Sequence, residues 1–154
     1  MRFGLIRIIF LLGSLILANQ KEKEFKGYNL LKNFGENNIE AVVYPQNWSV
    51  VQGVQGILKF ANMGGVLEYD GTSWNRIIIN NNIVRSLNIN KSGTVFVGGV
   101  NEIGYLVSDS SLSPQYFSLV NKIAPEYRSF SSVYQTYQNI YGTYYRSPKY
   151  LFQY

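Results

Sequence analysis

The chain has 154 residues, 46% of them apolar and 16% aromatic, with a formal net charge of +5. That length fits one domain or part of one, and that composition excludes disorder over most of the chain. There is no cysteine and no histidine, which excludes disulfide frameworks, thiolate or histidine metal centres, Ser-His-Asp triads and Cys-His dyads.

The first segment, residues 1–19, reads MRFGLIRIIFLLGSLILAN. Arg2 and Arg7 precede or flank an apolar run that ends at a small residue, Ala18, before the polar Lys21–Glu24. This is the layout of a secretory signal peptide, or of an uncleaved anchor, since the small-residue cleavage pattern is incomplete. The rest of the chain is expected to be exported, with membrane contact only through this segment. The other basic residues are scattered, so no nucleic-acid surface is expected.

Residues 20–47 read as a lead-in loop followed by a strand, Ile39–Tyr44, that Pro45 ends by removing a ladder donor. Residues 48–79 then spell a first unit. Runs at Trp48–Gln52, Ile57–Ala61, Val66–Tyr69 and Trp74–Ile79 alternate with turn signals at Gly53–Gly56, Asn62–Gly65 and Asp70–Ser73. Glycine supplies positive φ in such turns, and Asn62 is expected to bond its own turn backbone. Residues 84–120 spell a second unit, with strands at Val84–Ile89, Thr94–Val97, Ile103–Val107 and Tyr116–Val120. The turn glycines Gly56 and Gly93 lie 37 residues apart (93 − 56). Residues 121–154 read as an inserted loop or short helix, Asn121–Phe130, then an incomplete third unit at Ser132–Tyr137, Thr143–Arg146 and Tyr150–Tyr154.

Four short strands per repeat predict an all-β fold, a partial β-propeller of about two and a half four-stranded antiparallel blades. Runs such as Ile77-Ile78-Ile79 and Val95-Phe96-Val97 fit sheets covered on both faces. Two and a half units cannot close a ring, so uncovered sheet faces predict an aggregation-prone chain.

The residues that carry chemistry are few. Glu68 and Asp70 would share a strand face, but two sequence-local carboxylates beside a turn make a poor hydrolytic pair. Asn101, Glu102 and Tyr105, in the irregular Asn101–Tyr105 stretch, are the candidate ligand-binding residues, with Arg85 as a partner for Glu102. The tyrosines at 134, 137, 141, 144, 145, 150 and 154 are expected as strand aromatics, with sugar stacking as the alternative. No catalytic residue, metal site or cofactor is expected.

The strings Asn47–Gln52, Phe60-Ala61-Asn62, Gly65–Gly71 with Trp74, Val84–Leu87, and Asn101–Tyr105 resemble the regulator-propeller repeat. The resemblance implies the exported, periplasmic sensor region of a bacterial membrane-spanning signalling receptor of the triple-tyrosine type. Such proteins continue into a Tyr-rich β-sandwich, a membrane helix and an output module, either a histidine kinase or a helix-turn-helix domain. None of those is present in these 154 residues, so a fragment or a truncated product is expected. The implied role is non-catalytic sensing of a small molecule or oligosaccharide, or scaffolding, with the remaining blades as partners. The alternatives are a carbohydrate-active propeller enzyme and a structural adhesion propeller.

Overall fold

Tight turns lay this chain down as consecutive meanders, each strand pairing with its neighbour in sequence. The computed structural model describes residues 44–53, 55–107 and 114–154. The signal or anchor segment, the lead-in loop, most of the strand expected at Ile39–Tyr44 and most of the loop before Gln115 lie outside the described residues.

The first sheet contains β1 (Asn47–Gln52), β2 (Leu58–Asn62), β3 (Gly65–Tyr69) and β4 (Trp74–Ile77), in that order and antiparallel throughout. The second contains β5 (Val84–Ile89), β6 (Val95–Gly99), β7 (Ile103–Val107) and β8 (Gln115–Ser118), in the same order. Two 3₁₀ turns, Val120–Lys122 and Pro125–Tyr127, occupy the region expected as a loop or short helix. The third sheet has β9 (Gln135–Asn139), β10 (Gly142–Arg146) and β11 (Leu151–Gln153). The described chain is therefore all-β, built from three antiparallel sheets in series.

The 37-residue period of the sequence is a period of the structure. In the first sheet the β1–β2 register slips between Asn47 and Ser49; in the second, β5–β6 slips between Val84 and Ser86. A bulge of this kind turns the strand and re-aims its side chains. Each serine beyond the bulge reaches the next sheet. Ser49 Oγ accepts a hydrogen bond from the Leu87 amide at 3.3 Å. Ser86 Oγ donates to the Val133 carbonyl at 2.9 Å and lies 2.8 Å from Thr136 Oγ1. The leading strands β1, β5 and β9 thus pack side by side.

Two apolar cores fill the spaces between the described sheets. Ala61, Val66 and Ile77 of the first sheet meet Leu87, Val95, Val97 and Leu106 of the second. On the opposite face of the second sheet, Phe96 and Ile103 meet Phe130, Val133 and Tyr145. Val95 and Val97 point one way and Phe96 the other, as the period of two requires. Burying each such side chain contributes roughly 1.5–3 kcal/mol, so the middle sheet is held from both sides. The approach is close: a Cβ on Gly98 would collide with Ser86 Oγ and the Val133 side chain.

Several boundaries differ from the sequence reading, each for a local reason. The strand expected to run to Ile79 ends at Ile77, because Ile79 leaves the ladder to enter the first core and its carbonyl closes a turn with the Asn82 amide. The strand expected at Tyr116–Val120 ends at Ser118, where the chain coils into the first 3₁₀ turn. The strand expected from Ser132 starts at Gln135. Ser131 sits at φ 65°, and Ser132 makes only an isolated bridge to Val100.

Candidate functional site

The three candidate ligand residues occupy different environments. Asn101 lies in the turn between β6 and β7 with φ 51°, a left-handed conformation that asparagine tolerates. Its Oδ1 accepts the Ser131 amide at 2.6 Å, and its own amide donates to the Ser131 carbonyl at 2.9 Å. It therefore fastens this turn to the segment entering the third sheet. Glu102 follows it and is buried. Its Oε1 accepts from the Tyr116 hydroxyl at 2.8 Å and from Ser118 Oγ at 2.5 Å, and its Oε2 from Asn80 Nδ2 at 3.3 Å. Three neutral donors solvate this carboxylate, joining the linker between the first two sheets to β8. Tyr105, in β7, is half-buried and stacks on Phe117 and Tyr154 with ring centroids 5.5 and 6.0 Å away. The three side chains do not converge on one cleft.

Arg85 is not the partner of Glu102. It is the bulge residue of β5, and its guanidinium lies 3.8 Å above the ring centroid of Trp48, the bulge residue of β1. The bulge aims it at the preceding sheet rather than along the β6–β7 turn. The stack is a cation–π contact between equivalent positions of successive repeats.

The Glu68–Asp70 pair is divided. Glu68 is buried and forms an ion pair with buried Lys59 across the β2–β3 hairpin. Asp70 is exposed in the turn after β3, where it accepts from the amides of Thr72 and Ser73 and from Ser73 Oγ. The Ser73 amide bond first, then the Ser73 hydroxyl and the Thr72 amide, hold its carboxyl down at about 2. Asn62 does bond its own turn, accepting the Gly64 amide at 2.8 Å. Its amide also donates to the carbonyls of Tyr44 and Gln46.

The tyrosines divide between core and surface. Tyr145 is fully buried and donates to the Gly104 carbonyl at 2.9 Å, while Tyr134, Tyr137 and Tyr141 are exposed. Burial pushes the Tyr145 phenol well above the usual range, with help from Tyr154 and Tyr105. Burial, then the charge of and bond to Glu102, do the same for Tyr116. Free tyrosine titrates at about 10. Stability from a phenol whose folded pKa is raised is complete below that value and is lost as pH climbs beyond it. Alkaline unfolding is therefore expected to begin above about pH 10. Phenolate absorbance of Tyr116 and Tyr145 should appear only with the loss of circular dichroism; ionisation of all tyrosines in the folded chain would contradict this.

Two clefts are lined by described residues. One, of about 290 Å³, is lined by Tyr44, Met63, Arg76, Ile78 and Asn82 among others. The other, of about 300 Å³, lies where the second and third sheets meet, with Lys122, Tyr127, Phe152, Gln153 and Tyr154 in its wall. Lys122 Nζ sits 5.5 Å from the Tyr154 ring, which in turn stacks on Tyr105. Of the three candidates only Tyr105 adjoins this cleft. Its wall comes from three separate stretches of chain, so no local motif announces it. Among the described residues there is no cluster of acidic side chains able to hold a metal ion, and no helix is long and apolar enough to cross a membrane.

The fold and these contacts define a class: a chain of successive antiparallel sheets joined through their leading strands and through buried polar anchors. No family model matches the sequence, and no curated protein matches it.

Proposed function

We propose that the chain is part of a β-propeller, a non-catalytic sensing or scaffold segment from the exported region of a membrane-spanning signalling receptor. The observation that supports this reading is the 37-residue repeat of bulge and serine anchor in β1 and β5, whose sheets follow one another with β9 packed beside β5. The resemblance of Asn47–Gln52, Gly65–Gly71 and Asn101–Tyr105 to the regulator-propeller repeat adds the receptor role. In this reading the remaining blades and the output module belong to a longer protein, and this segment works on the periplasmic side. Three of the described carboxylates are tied into the fold, Glu68 by Lys59, Glu102 by three donors and Asp70 by its own turn, which supports sensing over turnover at those positions.

The cleft walled by Lys122, Tyr127 and Tyr154 is the proposed ligand surface, suited to a small molecule or oligosaccharide with an apolar face. The test is calorimetric titration of the purified chain with a panel of oligosaccharides, run beside a reducing-end assay. Saturable binding that Lys122→Ala or Tyr127→Ala weakens at least tenfold, without product, is the expected result. Turnover of any glycan, or no binding to the panel, would overturn the sensing role.

A further inference from the structure

We infer that the cleft beside Arg76 is a second ligand site, for a small molecule that carries a carboxylate on an apolar or ring-shaped body. The inference is independent of the Lys122 cleft and goes beyond the sensing role.

The cleft holds about 290 Å³ and is built at one end of the first sheet. Tyr44 comes from the stretch entering β1, Met63 and Gly64 from the β2–β3 turn, Arg76 from β4, and Ile78 and Ile83 from the linker to β5. Gly64 stands against both the ring and the cation: a Cβ there would lie 3.4 Å from the Tyr44 ring and 3.6 Å from a terminal nitrogen of Arg76. Among the described residues of the wall, Arg76 carries the only charge. No described oxygen accepts from its guanidinium, and no described carboxylate pairs with it. Met63, Ile78 and Ile83 make the rest of the wall apolar, and Ile78 is 64% exposed.

The second sheet shows what group belongs at this place. There the turn residue Glu102 sends its carboxylate between Asn80, in the stretch entering β5, and Tyr116 and Ser118 of β8. The first sheet has the same three parts in register. Gly65 lies 37 residues before Glu102, and Tyr44 lies 37 before Asn81, the neighbour of Asn80. Arg76 opposes Leu67 as Ser118 opposes Gly104, and Leu67 lies 37 residues before Gly104. What differs is the charge. Gly65 brings no carboxylate, and a Cβ on it would strike the Ile77 carbonyl. An arginine stands where the second sheet has a serine donor.

These differences fit an acid supplied from outside the chain. A guanidinium presents parallel N–H donors that match the two oxygens of a carboxylate. Here it lies beside an aromatic ring and aliphatic side chains, the mixture that holds a small ligand by one oriented polar group and an apolar body. The partners of Glu102 come from the entering stretch and the outer strand, not from the face of a neighbouring sheet. By the same geometry, further sheets on either side of the first leave its cleft in place.

NMR titration of the full 154-residue chain tests this, with benzoate as the acid and benzamide as its uncharged counterpart. Benzoate should give saturable shifts at the Ile78 and Asn82 amides, and benzamide should bind at least tenfold more weakly. Arg76 is exposed, so Arg76→Gln should keep the circular dichroism of wild type and lose at least tenfold in benzoate affinity. Gly64→Asp is the second variant: it sets the chain's own carboxylate against Arg76 and should abolish the shifts. Lys122→Ala, in the other cleft, should leave them unchanged, so failure of this site and failure of the sensing surface are told apart. Five results would each overturn the proposal: no shift at these amides, benzamide binding as tightly as benzoate, inorganic phosphate binding more tightly than benzoate, affinity that Arg76→Gln or Gly64→Asp leaves untouched, or shifts lost with Lys122→Ala.

Discussion

Replacing Lys59 by methionine should destabilise the chain by about 3–5 kcal/mol, because it strands the buried carboxylate of Glu68. Glu68 keeps one other contact, Asn75 Nδ2 at 3.4 Å from Oε2, which is too long to compensate for a lost cation. Glu68→Leu alone should cost a similar amount by leaving the ammonium unpaired. The double change is the informative one. The equivalent pair one repeat later is Phe96 opposite Tyr105, in the same register and facing the next sheet. Lys59→Phe with Glu68→Tyr copies that pair. It should return stability to within about 1–2 kcal/mol of wild type, since well-packed apolar residues commonly replace a buried ion pair at little cost. Urea unfolding of the wild type, Lys59→Phe, Glu68→Tyr and the double variant gives the coupling energy directly. Additive costs in the double variant would show that the two side chains do not act as a pair, and that the sheets differ at this position.

Much of this architecture is readable without coordinates. The Asn62-Met63-Gly64-Gly65 turn sets the β2–β3 register, and that register places Lys59 opposite Glu68, only nine residues away in sequence. The paired glycines at 56 and 93, both with positive φ, mark the repeat because a side chain there would be strained. Gly65, at φ 127°, is held by the same constraint and by the Ile77 carbonyl that a Cβ would strike. The aromatic third unit is less legible. Tyr144 and Tyr145 are the same residue in adjacent positions, and only the packing of the second sheet decides that Tyr145 is the buried one. The candidate site is least legible of all. Asn101 and Glu102 do stand out as polar residues at a turn, but their partners lie 30 and 14–22 residues away. Arg85 illustrates the cost of reasoning from nearness in a repeat: a bulge, which sequence pattern does not mark, carries it to Trp48 instead.

Glu102→Ala should lower stability by about 2–4 kcal/mol, and Glu102→Gln by only about 1 kcal/mol. The difference follows from what each change leaves behind. Alanine removes the acceptor shared by the Tyr116 hydroxyl and Ser118 Oγ, and both donors stay in a part-buried site. An unpaired buried donor costs about 1–3 kcal/mol, and the vacated volume adds to that. Glutamine keeps a carbonyl oxygen for the same two hydroxyls and gives up only the strength that a charged acceptor adds. It also turns an amide toward Asn80, whose own amide can flip to accept it. Tyr116→Phe is the complementary change. It removes one donor while Ser118 and Asn80 remain, so its cost should be smaller than that of Glu102→Ala. Unfolding midpoints for the three variants, taken with ligand affinity at the Lys122 cleft, separate anchoring from recognition. If Glu102 anchors β8 to the linker before β5, the loss is largest for Glu102→Ala, smaller for Tyr116→Phe and smallest for Glu102→Gln, while affinity of the folded protein holds. A Glu102→Ala variant as stable as wild type, with binding lost, would instead make this carboxylate a ligand contact.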